Sequence, residues 1–166
     1  DEADRALPQG EIGAIELGRA PDNQFRYLAE DGTIRIHATG RTKTGDLGFL
    51  DAEGYLHVTG RAKDLIIRGG VNISPTEVDN VMLSHPKVYE AAAVGVPDAI
   101  YGEEIVAYVV TREGETLNEQ DVKDWCAESL PEYRVPKGVY FIDALPKNDR
   151  GKVKREILKE RWLAAH

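Results

Sequence analysis

Two apolar runs on either side of one short turn constrain the fold more than any other feature of this sequence. The runs cover residues 91–96 and 105–111, and the turn between them covers 98–102. Apolar runs of this length, bounded by turn residues, are typical of buried strands. We therefore expect a pair of core strands in the second half of the chain.

Helical patterns lie on both sides of these strands. Ser74 is followed three residues later by Glu77, which predicts a helix that begins with a capping box. Asn118 and Asp121 predict the start of a second helix, and an apolar stripe near the C-terminus predicts a third. Strands and helices that alternate in this way predict an α+β unit over residues 64–166.

The first third of the chain has a different pattern. Short β-prone runs alternate with turn signals such as Asp31-Gly32, and residues 51–54 separate two such runs, which predicts a hairpin. We expect residues 1–63 to be β-rich. The pattern changes at Gly60–Asp64, where we place the boundary between the two units.

Composition excludes several classes of protein. The chain has 166 residues and a formal net charge of −8, which argues against general nucleic-acid binding. No apolar run approaches the ~20 residues of a membrane span, and no secretory signal is visible, so we expect a cytoplasmic protein. The single Cys126 excludes an intrachain disulfide framework, and the four His residues share no metal-ligand spacing, so we predict no metal site built by the chain.

One short segment carries a charge opposite to that of the whole chain. Residues 147–155 contain five cations and one acid. Such a segment could bind an anion, or it could be the solvated start of a basic helix. The five cations are Lys147, Arg150, Lys152, Lys154 and Arg155.

Three motifs carry the functional signal, and each is weak alone. Thr44-Gly45-Asp46 is typical of a turn in which the Asp hydrogen-bonds the backbone. Gly60-Arg61 is typical of a strand end, and Gly151-Lys152 of an exposed loop. In this order, and together with the stretches at 72–78, 85–88 and 94–98, they resemble the AMP-forming acyl-CoA synthetases.

This family belongs to a superfamily that includes nonribosomal-peptide adenylation domains and firefly luciferase. The resemblance implies that residues 1–63 are the β-rich, distorted-barrel end of a large N-terminal adenylation domain. Residues 64–166 would be the mobile C-terminal domain. It also implies that ATP activates a carboxylic acid to an acyl-adenylate, with Mg²⁺, and that a thiol, usually of CoA, then displaces AMP.

The resemblance implies a role for six residues. Asp46 would bind the ribose of ATP and Arg61 the ribose and phosphate, while Lys152 would be the catalytic lysine of the adenylation step. Lys63 would be the hinge. Gly69 and Gly70 would line the CoA tunnel. From the residues alone, Arg61 could instead form a structural salt bridge, Lys152 could face solvent, and 68–70 could be a simple tight turn.

The resemblance also predicts what the chain lacks. The family's phosphate-clamping loop and acyl pocket do not occur in this sequence, so we expect a missing N-terminal portion and no measurable adenylation by the chain alone. A regulatory lysine acetyltransferase is an expected partner, because acetylation would remove the charge of Lys152. Two alternatives stay open: an adenylation domain that loads a carrier protein, and a non-catalytic module that has kept the fold.

Overall fold

We describe a computed structural model that covers residues 5–18, 26–28, 33–36 and 42–166. Packing divides the chain into two compact units, Asp1–Val58 and Thr59–His166. The sequence places the boundary between the two units after Lys63, the predicted hinge. Both the boundary and the hinge stay predictions. The predicted turn at Asp31-Gly32 lies outside the described residues.

The first unit is β-rich, as the sequence predicts. One sheet has the order β1-β4-β5, and β2 pairs with β3 in a second, two-stranded sheet. Over the described ranges these strands form open sheets without closing into a barrel. The strands are β1 (Gly13–Leu17), β2 (Arg26–Leu28), β3 (Ile34–Ile36), β4 (Thr42–Leu50) and β5 (Leu56–Arg61), which continues into the second unit.

The predicted hairpin over residues 51–54 is confirmed between β4 and β5. The N–H of Gly54 donates to the carbonyl of Asp51 at 3.0 Å, and the N–H of Asp51 donates to the carbonyl of Tyr55 at 3.0 Å. Gly54 has a φ of +87°. A side chain other than glycine is strained in this conformation, which explains why this turn ends on glycine.

The second unit holds three helices and five strands. A short 3₁₀ turn at Ala62–Asp64 follows the end of β5. The further elements, in chain order, are β6 (Ile66–Arg68), β7 (Val71–Ile73), α1 (Pro75–Leu83), β8 (Val88–Asp98), β9 (Gly102–Thr111), α2 (Glu119–Ala127), a second 3₁₀ turn at Glu132–Arg134, β10 (Gly138–Phe141) and α3 (Arg155–Ala165).

Strand β9 lies at the centre of the second sheet. It pairs antiparallel with β8 from Val88 to Asp98, and parallel with β10. Strand β6 joins the same sheet where Arg68 pairs with Gly102, and β7 pairs with β6. The β8–β9 pair confirms the two core strands that the apolar runs predict.

Both faces of the β8–β9 pair are buried, which explains why their sequences are continuous apolar runs. Alternate residues point to opposite faces of the sheet. Ala93 and Ala107 contribute to one cluster with Val78 of α1 and Cys126 of α2, whereas the next residues along the strands form a second cluster with Leu158 of α3. A central strand pair covered on both faces by helices gives the α+β class predicted from the sequence.

The two predicted helix starts differ in outcome. At α2 the start is confirmed, and it has a capping box: Asn118 Oδ1 accepts from the N–H of Asp121 at 2.9 Å, and the Asp121 carboxylate accepts from the N–H of Asn118 at 2.9 Å. At α1 the prediction is wrong, because the Ser74 side chain makes no cap hydrogen bond. Its hydroxyl donates to the carbonyl of Thr59, and Glu77 pairs with Arg134.

Candidate functional site

The predicted site residues are divided between the two units. Asp46 belongs to the first unit, and the other predicted site residues belong to the second. Within the second unit, the loop with Lys152 and the loop with Gly69 and Gly70 are held to the sheet at different points. Each segment is described below from its own contacts.

Asp46 lies half-buried on β4, two residues after Thr44. The Thr44 hydroxyl donates to the carbonyl of Ile15 at 3.0 Å and accepts from the N–H of Asp46 at 3.0 Å. Gly45 between them has a φ of +78°. The Thr44 hydroxyl therefore joins this turn to β1 and accepts the backbone N–H of Asp46. The hydrogen bond from the backbone to the Asp46 carboxylate stays a prediction.

Arg61 and Lys63 lie at the end of β5 and in the 3₁₀ turn that follows it. Both side chains are exposed, and the turn at Ala62–Asp64 contains no buried residue. A turn with so little packing can change its backbone angles at low cost. Lys63 and Asp64 also line a cleft of about 310 Å³ in the second unit, beside Glu103 and Lys159.

Gly69 and Gly70 form the two-residue turn between β6 and β7. Their φ angles are +56° and +82°. Two positive φ angles in succession are the condition for a type I′ hairpin turn, which favours glycine. The tight-turn alternative therefore describes the geometry correctly, and it leaves open whether the turn also binds a ligand.

This glycine turn is held firmly to the β8–β9 turn. The N–H of Gly69 donates to the carbonyl of Tyr101 at 2.8 Å, and the guanidinium of Arg68 lies 4.1 Å above the Tyr101 ring. Arg68 Nε also donates to Glu104 at 2.7 Å, and this hydrogen bond raises the pKa of Arg68. Glu104 is only 5% exposed, so Arg68 compensates a buried carboxylate.

Lys152 lies on a short hairpin that is closed by a β-bridge between Lys147 and Val153. The Asn148 side chain orders the loop, because its Oδ1 accepts from the N–H of Arg150 at 3.0 Å and from the N–H of Lys152 at 2.9 Å. Gly151 completes the turn with a φ of +76°. The loop backbone is therefore fixed by its own hydrogen bonds.

The Lys152 side chain itself is exposed and forms no ion pair with any residue that the structure describes. Its neighbour in the hairpin, Lys147, pairs with Glu90 of β8. A fixed loop that presents one uncompensated ammonium can bring positive charge to an anionic group on another body. This geometry agrees with the solvent-facing alternative and equally with a catalytic role.

Sequence reasoning missed the residues that hold this hairpin. Asp79 of α1 is 8% exposed, and Arg155 at the start of α3 binds its carboxylate. Burial raises the pKa of Asp79, an effect that Arg155 opposes. The sequence did offer one signal: the charged Asp79 lies next to the apolar stripe of α1. A carboxylate buried there requires a cationic or hydrogen-bonding partner.

The described residues offer no site that could hold a metal ion by itself. Across 5–18, 26–28, 33–36 and 42–166, no three His, Cys, Asp or Glu side chains converge. Among the helices that the structure describes, none is long and apolar enough to cross a membrane.

Comparison with known proteins supports the resemblance seen in the sequence. Residues 77–152 match the AMP-binding enzyme C-terminal domain family. A sulfoacetate–CoA ligase of Cupriavidus necator is 45% identical over 160 residues, which cover 91% of this chain and 30% of the relative. The matched part of the chain spans about a quarter to a third of the length of such curated relatives.

Two solved structures are similar over nearly the whole chain. ATP-bound MatB of Rhodopseudomonas palustris is 38% identical with a TM-score of 0.75, covering 94% of this chain and 31% of its own. The o-succinylbenzoate CoA synthetase of Bacillus subtilis, solved with an acyl-adenylate intermediate, is 35% identical with a TM-score of 0.77, covering 92% of this chain and 31% of its own.

Together the α+β unit and these matches define the C-terminal domain of an adenylate-forming enzyme. Residues 77–152 belong to the AMP-binding enzyme C-terminal domain family, and the chain matches the C-terminal portion of AMP-forming acyl-CoA synthetases.

Proposed function

We propose that this chain is the part of an ATP-dependent, AMP-forming acid–CoA ligase that supplies the catalytic lysine and then the CoA-binding loop. The observation that carries the proposal is Lys152: an exposed ammonium, without an ion pair to any described residue, on a hairpin whose backbone is fixed by Asn148. The family match covers this residue. The substrates of the whole enzyme would be a carboxylic acid, ATP and CoA.

Lys152 acts in the first half-reaction. As the acid's carboxylate attacks the α-phosphate, negative charge builds on the transferred group, and a positioned ammonium stabilises it more strongly than it stabilises the ground state. Asp46 accepts hydrogen bonds from the ribose hydroxyls, and Arg61 binds the ribose and phosphate through its planar guanidinium. Mg²⁺ would neutralise the phosphates of ATP, and since no described cluster holds a metal alone, it would be bound mainly through those phosphates.

The second half-reaction uses a different part of the same unit, at the other end of β8. The Lys152 hairpin is attached near Glu90, whereas the Gly69-Gly70 turn is attached beyond Asp98, at Tyr101. Glu90 and Asp98 both lie on β8, about 26 Å apart at the usual rise per residue. A rotation about Lys63 would therefore exchange the ammonium for the glycine turn, whose lack of side chains gives room to a narrow pantetheine chain.

CoA is the acceptor that the comparisons favour, because the relatives carry names such as sulfoacetate–CoA ligase and oxalate–CoA ligase. A cytoplasmic location and a regulatory lysine acetyltransferase that acts on Lys152 remain predictions.

The proposal is tested with Lys152→Ala in the full-length enzyme, with the two half-reactions measured separately. We expect the rate of adenylate formation, measured as pyrophosphate release, to fall on the order of 10²–10³-fold. This is the usual cost of a lost electrostatic contact in the transition state. Thioester formation from preformed acyl-adenylate should stay near the wild-type rate. Arg150→Ala, which removes another exposed cation from the same hairpin, is the matched control and should change neither rate.

Three results would contradict the proposal. Equal loss of both half-reactions, or of neither, would reject the role of Lys152. Transfer of the acyl group to a phosphopantetheinyl carrier but not to CoA would replace the ligase by a carrier-loading adenylation domain. Normal pyrophosphate release by the 166-residue chain alone would reject the requirement for an N-terminal portion.

A further inference from the structure

The hairpin that carries Lys152 is attached to one strand at both of its ends. At the entry, Lys147 Nζ donates to Glu90 Oε1 of β8. At the exit, Arg155 donates to the carbonyl of Ala93, also on β8, at 2.6 Å. Lys152 lies between these two attachment points, five residues after the first and three residues before the second.

The attachment at Arg155 is reinforced from α1. Arg155 binds the Asp79 carboxylate, and Asp79 Oδ1 accepts from the N–H of Ala93 at 2.6 Å. The Asp79–Arg155 pair therefore binds both backbone groups of Ala93, a residue of the core that is fully buried. This side of the hairpin is fixed to the centre of the domain.

The attachment at Lys147 has a different character. The side chain of Lys147 is 38% exposed and that of Glu90 is 20% exposed. An exposed ion pair contributes little to the free energy of unfolding, so its loss leaves the fold intact. The Lys147–Glu90 pair lies at the entry of the hairpin, whereas Arg155 lies at the exit. It is therefore well placed to restrict the movement of the entry.

We propose that Lys147 and Glu90 are positioning residues for adenylate formation. With Arg155, they fix both ends of the hairpin to β8 and so limit the positions that the Lys152 ammonium can reach. Catalysis by a charged group depends on geometry, since a displacement of about 1 Å can cost roughly 10²-fold in rate. This inference rests on the proposed function of Lys152.

The same argument predicts which reaction is affected. The Gly69-Gly70 turn is attached to Tyr101 and shares no hydrogen bond or ion pair with Lys147 or Glu90 among the described residues. Loss of the Lys147–Glu90 pair should therefore impair adenylate formation and spare the thioester step. A purely structural role would impair both steps or neither.

The test uses the full-length enzyme with Lys147→Met, which keeps most of the length of the side chain and removes its charge. We expect kcat for adenylate formation to fall on the order of tenfold or more, with KM for ATP nearly unchanged, because the pair acts on the transition state through Lys152. Lys147→Arg should restore most of the rate, and the exchanged pair Glu90→Lys with Lys147→Glu should restore part of it.

The matched control is Lys87→Met, which breaks an exposed ion pair with Glu115 in the same unit. It should leave both half-reactions unchanged. Thermal unfolding of each variant checks that the fold is retained.

The outcomes separate this inference from the proposed function. If Lys147→Met forms adenylate at the wild-type rate while Lys152→Ala does not, the positioning role is rejected and the function stands. If Lys147→Met slows both half-reactions equally, its role is structural and the inference is again rejected. If Lys152→Ala itself forms adenylate normally, the proposed function falls and this inference falls with it.

Discussion

The hydroxyl of Ser74 donates to the carbonyl of Thr59 at 2.6 Å, which joins the first turn of α1 to the end of β5. The residue that follows Thr59 is Gly60, and a larger residue would clash there. A Cβ at Gly60 would lie 2.6 Å from Ser74 Oγ. The contact fixes the chain immediately before the turn that contains Lys63. A rigid attachment on one side confines any rotation to the few residues that follow.

Gly60→Ala should destabilise the protein by about 1–3 kcal/mol, the usual cost of overpacking a close contact. Ser74→Ala should cost about 1 kcal/mol through the lost hydrogen bond, and the double variant should be less destabilised than the sum, because the clashing atom is gone. Urea unfolding measures the free energy of unfolding of all three variants. Gly60→Ala combined with Ser84→Ala is the control for additivity, because Ser84 makes its hydroxyl contact at the other end of α1. Strict additivity of Gly60→Ala and Ser74→Ala would contradict the close contact.

Gly70→Ala should slow the thioester step and leave adenylate formation unchanged in the full-length enzyme, the opposite of Lys152→Ala. An L-residue at a φ of +82° is strained by about 1–2 kcal/mol, and its Cβ enters the space proposed for pantetheine. Gly114→Ala is the matched control, since Gly114 has a φ of +76° and equally open surroundings. Equal effects of both variants on the thioester rate would assign the change to backbone strain alone.

Asp79→Ala should destabilise the protein by about 3–5 kcal/mol, because it leaves Arg155 partly buried without its carboxylate. Replacing both residues, as Asp79→Leu with Arg155→Met, should cost clearly less, since no unpaired charge remains. Chemical denaturation of the two variants gives the comparison. A double variant as unstable as the single one would show that the ion pair is itself a net source of stability.

The free energy of unfolding should depend on pH through Asp98. Its carboxylate accepts from the N–H groups of Tyr101 and Ile100 and pairs with Lys137, which lowers the pKa of Asp98 to about 2. The folded pKa lies below the unfolded value of 3.8, so this stabilisation is complete above about pH 4 and disappears as the pH falls toward 2. In Asp98→Asn this contribution is absent at every pH.

The measurement is the difference in free energy of unfolding between wild type and Asp98→Asn, from pH 6 down to pH 2. The difference should be largest at pH 6 and should shrink through this window. A constant difference would show that the ionised carboxylate is not the stabilising species.

Cys126 should react with iodoacetamide only when the fold opens. The residue is fully buried on α2, and burial raises the pKa of its thiol to about 11. At pH 8 the reactive thiolate is therefore scarce as well as inaccessible. Mass spectrometry should find slow labelling in buffer and fast labelling in urea, and equal rates would contradict the buried position of this helix face.

The sequence predicted the elements whose signals are local. The β8–β9 pair follows from two apolar runs around one turn, and the start of α2 follows from Asn118 and Asp121, three residues apart. The three motifs and their order identified the family. These patterns are readable because each depends on residues that are neighbours in the chain.

The prediction that failed, the capping box of α1, involves a choice between local and distant partners. The Ser74 oxygen could accept from an N–H of its own helix, but the contact that forms is the hydrogen bond that its hydroxyl donates to the carbonyl of Thr59. The turn at 44–46 also depends on a distant partner, because β1 presents the carbonyl of Ile15 to the Thr44 hydroxyl. Which partner a polar side chain meets is decided by packing.

What the sequence determined by itself is the α+β class, the resemblance to the family and the cationic loop that carries Lys152. What only the tertiary structure decided is that this loop is a hairpin and how it is held. Asp79 and Arg155 are 76 residues apart, and Glu90 and Lys147 are 57 residues apart. No local pattern encodes such pairs, because they meet only after hydrophobic burial has packed α1 and α3 against the two faces of β8.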